Sequence, residues 1–482
     1  MTINDIPSLR NPIELTNLAS DVSSKRRDSG DSPGFIAFIT GAIFSKSYQF
    51  KIARDMGYRV VVIDSIRSGG RELAKEGLID LFSPLKLSEK PETAAEQCLA
   101  CLRDLGEKVV GVVTFMEMAV YTTSLVAKSM GLPGLPPESV VKAREKDRLR
   151  EAMKYADLPN VKCFAIKSRT EILRAASEVG FPSVLKPVIG ADSLGVKRVD
   201  DLVNLEKAYL ESVDVVSRLE VSSGYLTASD CVKSKSLLPV EFLLEEYLEG
   251  PEVDVDIVLK NGNSFYCGLS DNGPTKEPYF TETYGLFPSL LPQRDQDALA
   301  SLSLECLKTL GFTHGVFHVE AKLTSAGPRI IEVNARMGGG PIREMHLHVR
   351  GVDLCLEQLR IISSCSRPDY EEIQVRICDD ETVGSKNFAY MTTNAIRSGV
   401  VGSDMSFLKD YENRKNLIGI SSRVKPGDVV IGPEKGQPSW LVEICMQSSS
   451  SCCLALLVEE ICILSELIAT EFCRRYYCIE SV

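Results

Sequence analysis

The stretch Gly315–Gly340, GVFHVEAKLTSAGPRIIEVNARMGGG, constrains this chain more than any other. Val316–Leu323 and Arg329–Asn334 alternate, with β-branched or aromatic residues on one side, so each predicts a strand. Between them, Ser325-Ala326-Gly327 predicts a three-residue hairpin loop with glycine at the left-handed position. Counted outward from that loop, Thr324 faces Pro328 and Glu320 faces Glu332. Asn334 shares the face of Glu332, and Arg336 shares it again if the strand runs that far. Like charges opposed across a hairpin destabilise it, and a cation between them reverses the sign. Two carboxylates and an amide oxygen are hard ligands that suit a Mg²⁺ ion also holding phosphates. A solvated polar face on an edge hairpin is the competing reading of this stretch taken alone.

A chain of 482 residues accommodates several packed units. The net charge of −11 argues against nucleic acid or an anionic membrane as the main partner, but not against ATP, whose site is built locally. The 15 cysteines are scattered, with Cys306, Cys355 and Cys462 in apolar runs. No secretory signal is evident at the start, so reduced core thiols in a cytoplasmic protein are expected. Cys98 and Cys101 fall on a helical pattern with no second pair to make a zinc or redox site. No apolar run reaches membrane-spanning length without charge; Cys452–Cys473 carries Glu459, Glu460, Glu466 and Glu471 and predicts an amphipathic packed helix.

Residues 1–34, with Lys25-Arg26-Arg27, predict a disordered tail. Strands at Phe35–Thr40, Tyr58–Asp64 and Val109–Thr114 alternate with helices ending at Met56, Leu105 and Met130, which predicts a parallel α/β sheet. Gly41 follows the first strand without the further glycines of a dinucleotide fingerprint, so NAD is rejected. Beyond the Gly131–Pro137 linker, one helix is expected from Pro137 through Tyr155, with Lys146 inside it. A strand over Phe181–Pro187 delivers Lys186, and the loop from Gly190 through Ser193 and Gly195 to Val196 can lay backbone N–H groups on phosphate oxygens. Lysine precedes the glycines, so this is not a Walker A loop. Strands are expected at Phe242–Glu246 and Val253–Leu259, with an ordinary hairpin as the plain alternative to an adenine-edge site between them. Helices are expected at Asp295–Thr309, Pro341–His348 and Val352–Leu359, and strands at Gln374–Ile377 and Phe388–Thr393, with Trp440 in a packing role. All four histidines, His314, His318, His346 and His348, lie near the proposed site; strand geometry separates His314 from His318, so a substrate contact or a filler role is favoured over zinc.

The order Lys146, Lys186, the Gly190–Val196 loop, Glu245-Glu246-Tyr247-Leu248 with Glu252, then Glu320 and Glu332-Val-Asn334-Ala-Arg336, resembles the ATP-grasp superfamily over about residues 35–360. Within it, FHVEAKLTSAGPRIIEVNARMGGGPIREM followed by RGVDL is similar to carnosine synthases and their dipeptide-ligase relatives. The resemblance implies an α/β (α+β) fold of ATP-grasp type: a tail over 1–34, an N-terminal parallel α/β domain over 35–136, a small ATP-clasping subdomain over 137–250, a large one with the Mg²⁺ site over 251–366, and a mixed α/β cap over 367–482. It implies ATP contacts from Lys146 and Lys186 to phosphates, with Lys186 also near adenine. It also implies a lid of Ser193, Gly195 and Val196, adenine reading by Glu245 and the backbone of Tyr247 and Leu248, and ribose bonding by Glu252. Glu320, Glu332 and Asn334 would hold Mg²⁺, with Mn²⁺ as an alternative ion, and Arg336 would stabilise charge at the reacting carbonyl.

The activity so implied is an ADP-forming carboxylate–amine ligase making a dipeptide through an acyl-phosphate, with β-alanine and L-histidine as the foremost substrates. Other amino-acid pairs and a non-catalytic ATP-binding regulator are the alternatives; Arg336, which ATP binding alone does not require, weighs against the regulator. Small amino acids are the expected partners, a homo-oligomer is compatible with the reading, and Gly338–Arg343 with the nearby histidines are the candidates for selecting the amine.

Overall fold

Phe35–Ile39 is apolar at every position, and in the computed structural model all of it is buried. The structure describes residues 34–85, 90–104, 109–222, 225–228, 240–363, 386–449 and 454–476. All but the last residue of the expected tail, and the strand expected at Gln374–Ile377, lie outside the described residues.

Phe35–Ile39 occupies the interior of a four-stranded parallel sheet ordered Leu81–Pro84, Arg59–Asp64, Phe35–Ile39, Val109–Val113. Ile36, Phe38, Val60 and Val62 pack into one core, and Phe35, Ala37, Val61 and Ile63 into another on the opposite face. Burial on both faces is why these strands read as continuous apolar runs rather than alternating ones. Helix Pro91–Asp104 carries Cys98 and Cys101 as free thiols, and burial pushes Cys98 up to about 12.

A second, antiparallel sheet joins Cys163–Ile166, Phe242–Glu246, Ser183–Pro187 and Lys197–Val199 in that order. Phe242–Glu246 and Glu252–Lys260 therefore belong to different sheets, so the connection over residues 247–251 is a crossing point between layers and not a hairpin.

The third sheet has eight strands, beginning Gly327–Asn334, Gly315–Thr324, Glu252–Lys260, Asn263–Asn272, Tyr284–Phe287. It continues without interruption through Lys386–Asn394, Trp440–Ser449 and Leu417–Ser422, so the segment expected as a separate cap extends the large sheet. Leu454–Arg474 is helical and closes over this extension, burying Leu457, Ile461, Leu464 and Ile468 against Ile444 and Met446. No helix among the described residues is long and apolar enough to cross a membrane.

The helix expected over Pro137–Tyr155 is two helices, Pro137–Arg144 and Lys146–Tyr155. Glu145 between them is extended, with φ −86° and ψ 108°, and it caps the second helix. Lys146 is thereby the first residue of a helix, and its N–H donates to Val188 O at 3.1 Å. Both helices pack against the eight-stranded sheet, with Val140, Ala143, Leu149 and Met153 in the core of Val253, Val255 and Val319. The segment 137–155, expected with the small sheet, is thus built into the large one.

Candidate active site

Alternation along Glu252–Lys260 places Val253, Val255 and Ile257 in the apolar core and leaves Glu252, Asp254 and Asp256 on the other face. Across the sheet, Asp254 faces Glu320 and Glu320 faces Glu332, so three carboxylates stand in one row. The next row is Asp256, His318 and Asn334.

The acid row depends on a bulge. The hairpin loop is two residues, Ser325 and Ala326, because Thr324 pairs with Gly327 rather than with Pro328. The pairing runs through Leu323–Pro328, Lys322–Arg329 and Ala321–Ile330, then slips at Glu320, which takes Glu332 as partner and leaves Ile331 as the extra residue. The expected loop is one residue too long, and the bulge restores the expected opposition of the acids.

The electrostatics of the row are uneven. Burial, and then the neighbouring Glu332 and Asp254, drive Glu320 well above the usual carboxylate range. Burial also pushes Asp254 up to about 6 against the pull of His318. For Glu332 the penalty of burial is outweighed by Lys146, whose Nζ lies 2.9 Å from Oε1, so this carboxyl is lowered. Opposed acids of which one is forced toward its neutral form are what a divalent cation would relieve, and the donors are hard oxygens. Among the described residues no group of three His, Cys, Asp or Glu side chains forms a metal cage.

Lys186 is the penultimate residue of the strand Ser183–Pro187, and its Nζ lies 2.6 Å from Glu245 Oε2. Glu245 also accepts from Arg150 Nε at 2.6 Å and from Nη2 at 3.3 Å. Burial alone would raise Glu245, but the two cations hold it at about 2. Both oxygens of Glu245 are thus engaged, and it orients Lys186 and Arg150. Arg150 in turn donates to Ile330 O and Ile331 O, at 2.8 and 3.0 Å, which ties the small sheet to the bulge.

The Tyr247 N–H donates to Pro182 O at 3.1 Å, so that donor is unavailable to an adenine. The Tyr247 ring lies 4.4 Å under the Arg198 guanidinium, and its hydroxyl donates to Glu277 at 2.6 Å. Leu248 O accepts from Lys322 Nζ at 3.2 Å, and Lys322 also lies 3.6 Å from Glu252. In the loop after Lys186, Ser193 has φ 54° and Gly195 φ 78°; the Val196 N–H donates to Ser193 O, and Gly195 O accepts from Ser212.

Arg336 is fixed on three sides: Nε to Glu117 at 2.7 Å, Nη1 to Met337 O at 2.9 Å, and Nη2 to Asn334 Oδ1 at 3.1 Å. The Asn334 oxygen, expected to face a metal ion, therefore faces Arg336, while its nitrogen donates to Glu320 at 3.3 Å. Sequence reasoning missed Glu117, Asp254 and Arg150. Alternation of Glu252, Asp254 and Asp256 within an apolar strand was the signal for Asp254; nothing local marks Glu117, which reaches Arg336 from 219 residues away.

The histidines divide. His318 Nδ1 lies 2.9 Å from Asp256 Oδ1, and His346 Nε2 lies 2.9 Å from Asp256 Oδ2. His346 Nδ1 continues the chain to the Tyr266 hydroxyl at 2.6 Å. Two glycines make room: a Cβ on Gly268 would stand 2.7 Å from His346 Cε1, and one on Gly338 2.7 Å from His318 Nδ1. Burial alone would lower His318, but Asp256 and Asp254 raise it to about 10. His314 bonds Asn261 and Thr313 at the surface.

Residues 179–344, which hold the acid row, Lys186 and Arg336, match the family model described as the ATP-grasp domain. The fold is ATP-grasp. A solved structure, an L-amino acid ligase from Bacillus licheniformis, superposes with a TM-score of 0.71 at 19% identity, covering 94% of this chain and all of that one. In sequence the chain is 34% identical over 325 residues to carnosine synthase 1 of Gallus gallus, covering 65% of this chain and 33% of that protein. It is 29% identical over 331 residues to carnosine synthase 1 of Homo sapiens, covering 66% and 38%. The chain thus spans about a third of the length of the curated relatives it matches.

Proposed function

We propose that this chain is an ATP-dependent carboxylate–amine ligase that forms a dipeptide, ADP and phosphate, with β-alanine and L-histidine as its foremost substrates. The observation that carries the proposal is the acid row Asp254, Glu320, Glu332 with Lys146 on Glu332 and Arg336 one bond from Asn334. Similarity to carnosine synthases supports this choice of substrates.

A carboxylate acylates poorly until phosphorylated, and phosphoryl transfer needs positioning and charge neutralisation more than a protein nucleophile. Lys146 and Lys186 stand ready for phosphate oxygens, each held by a carboxylate that fixes its direction. Glu320 and Glu332, with Asn334 once its oxygen turns from Arg336, are the residues to hold Mg²⁺, or Mn²⁺, which when bound neutralises phosphate charge. Arg336, immobilised by Glu117, presents a planar donor set to the oxyanion of the tetrahedral adduct. The loop 190–196 covers the site, keeping water from the acyl-phosphate. Leu248 and Glu252 lie beside Lys322, where the nucleoside end of ATP would rest. The functional division that goes with this reading is 35–136, 137–250, 251–366 and 367–482, although 137–155 and the strands from Lys386 onward pack into the large sheet.

A second substrate reading is another amino-acid pair. Phosphate release measured over a panel of amino-acid pairs tests both. Release that requires β-alanine together with L-histidine supports the first; release with a different pair selects the second; ATP bound with no release for any pair overturns the ligase.

A further inference from the structure

Three cations from three parts of the chain converge beside the turn Gly338–Gly340. Arg336 leaves the hairpin and is held by Glu117 at 2.7 Å. Arg423 follows strand Leu417–Ser422 and pairs with Glu443 of strand Trp440–Ser449. Lys46 ends the short turn Phe44–Lys46 after the first strand, with Nζ 3.9 Å from Met116 Sδ, the residue before Glu117. The glycine turn is packed against this group: a Cβ on Gly340 would lie 3.5 Å from Glu443 Oε2. Burial, followed by the fields of Arg336 and Arg423, lowers Lys46 to about 8, while Asp192 and Glu443 oppose that effect.

The carboxylates that answer these cations differ in how they are carried. Glu117 sits on a helical turn and Glu443 within a ten-residue strand. Asp192 sits on the loop after Lys186, where it and Ser193 both adopt left-handed φ, 56° and 54°. Non-glycine residues enter that region at a cost, so two in succession mark a segment held in place by its contacts. One contact is Gln437 Nε2 donating to Asp192 O at 3.0 Å. The Asp192 carboxylate on this loop adds its field to those of Glu117 and Glu443 around Lys46 and Arg336.

We infer that Lys46 and Arg423 bind the free carboxylate of the amine-bearing substrate beside Arg336, in the charge field that the Asp192 carboxylate now reaches. The inference rests on the ligase reading: in an α-amino acid whose amine attacks a carbonyl held at Arg336, the carboxyl carbon is two bonds from the attacking nitrogen and so enters the neighbourhood of the same cations. Lys146 and Lys186 face the acid row and Glu245, which separates the phosphate end from this one. The substrate class is an α-amino acid with its carboxylate unblocked, as opposed to an amine or an amino-acid amide.

The test compares L-histidine with L-histidinamide, and L-alanine with L-alaninamide, on the full chain loaded with MgADP, by titration calorimetry. The same pairs are then compared in phosphate release with ATP and β-alanine. The wild-type chain should prefer at least one free acid over its amide by about tenfold or more, the scale of a charge-assisted contact. Lys46→Gln and Arg423→Gln should each erase most of that preference, raising KM for the acid while KM for ATP and β-alanine stays within about twofold. Lys46→Arg should keep the preference, which a merely structural lysine would not predict. Equal binding of acid and amide by the wild-type chain, or an undiminished preference in both glutamine variants, overturns the inference. A rise in KM for ATP instead assigns the cations to the γ-phosphate, and a rise for β-alanine to the donor, and either overturns it. Failure of the ligase reading is scored separately, as absence of phosphate release for every pair, because the calorimetric preference does not depend on turnover.

Discussion

Glu320 and Glu332 face each other across the hairpin, with Lys146 2.9 Å from Glu332 and Asp254 on the far side of Glu320. Lys146 answers one end of this row of three acids, and His318, 3.8 Å from Asp254, answers the other. Glu332→Gln removes the charge that a divalent ion and Lys146 share. ADP binding in the presence of Mg²⁺ should weaken by about tenfold or more, while binding without metal changes little. Calorimetric titrations with and without Mg²⁺ check this, and an unchanged metal dependence removes Glu332 from the ligand set.

Arg336→Ala should leave MgADP binding nearly intact and reduce product formation by about 100- to 1,000-fold, the cost typical of losing one oxyanion donor. Glu117→Gln should give a smaller loss of the same kind, since it frees the Nε that Glu117 holds without removing the guanidinium. The pair is checked by single-turnover product formation beside nucleotide titration; near-normal turnover in Arg336→Ala refutes its role.

Glu245 bridges Arg150 and Lys186 in the core, and all three are buried. Glu245→Gln should destabilise the protein by about 3–5 kcal/mol, because it leaves two buried cations without their anion. Glu245 is held at about 2, below the ordinary 4.5, so its contribution is present above pH 4.5 and is lost as the pH falls toward 2. The difference in urea midpoint between wild type and Glu245→Gln should shrink across that window.

His318 behaves in the opposite sense. Raised from 6.5 to about 10, it contributes stability that is complete below pH 6.5 and is lost as the pH rises toward 10. His318→Gln should therefore be most destabilising near pH 6 and least so near pH 10, as measured by thermal unfolding across that range. A deficit independent of pH would show that His318 acts by shape alone.

These residues were not equally legible in the sequence. The opposed acids were, because period-two alternation and a short loop fix which residues share a face. The loop length was not, because a bulge at Ile331 is a tertiary choice: Arg150 binds the carbonyls of Ile330 and Ile331 from another helix. Lys146 and Lys186 stand out by their order along the chain, but a sequence does not show that Lys186 and Arg150 share Glu245. The break at Glu145 was hidden inside a run of good helix formers, and it is needed to turn the Lys146 N–H onto Val188 O. Glu117 was out of reach altogether, since its only signal is a contact across 219 residues.

The eight-stranded sheet has a practical corollary for anyone shortening this protein. Tyr284–Phe287 is hydrogen-bonded on one side to Asn263–Asn272 and on the other to Lys386–Asn394. A version cut before Lys386 would bare a row of backbone donors and acceptors flanked by Leu286 and Phe287, both buried in the intact chain. Such a rim invites edge-to-edge aggregation. Fragments meant to isolate the catalytic half should therefore keep everything through Trp440–Ser449.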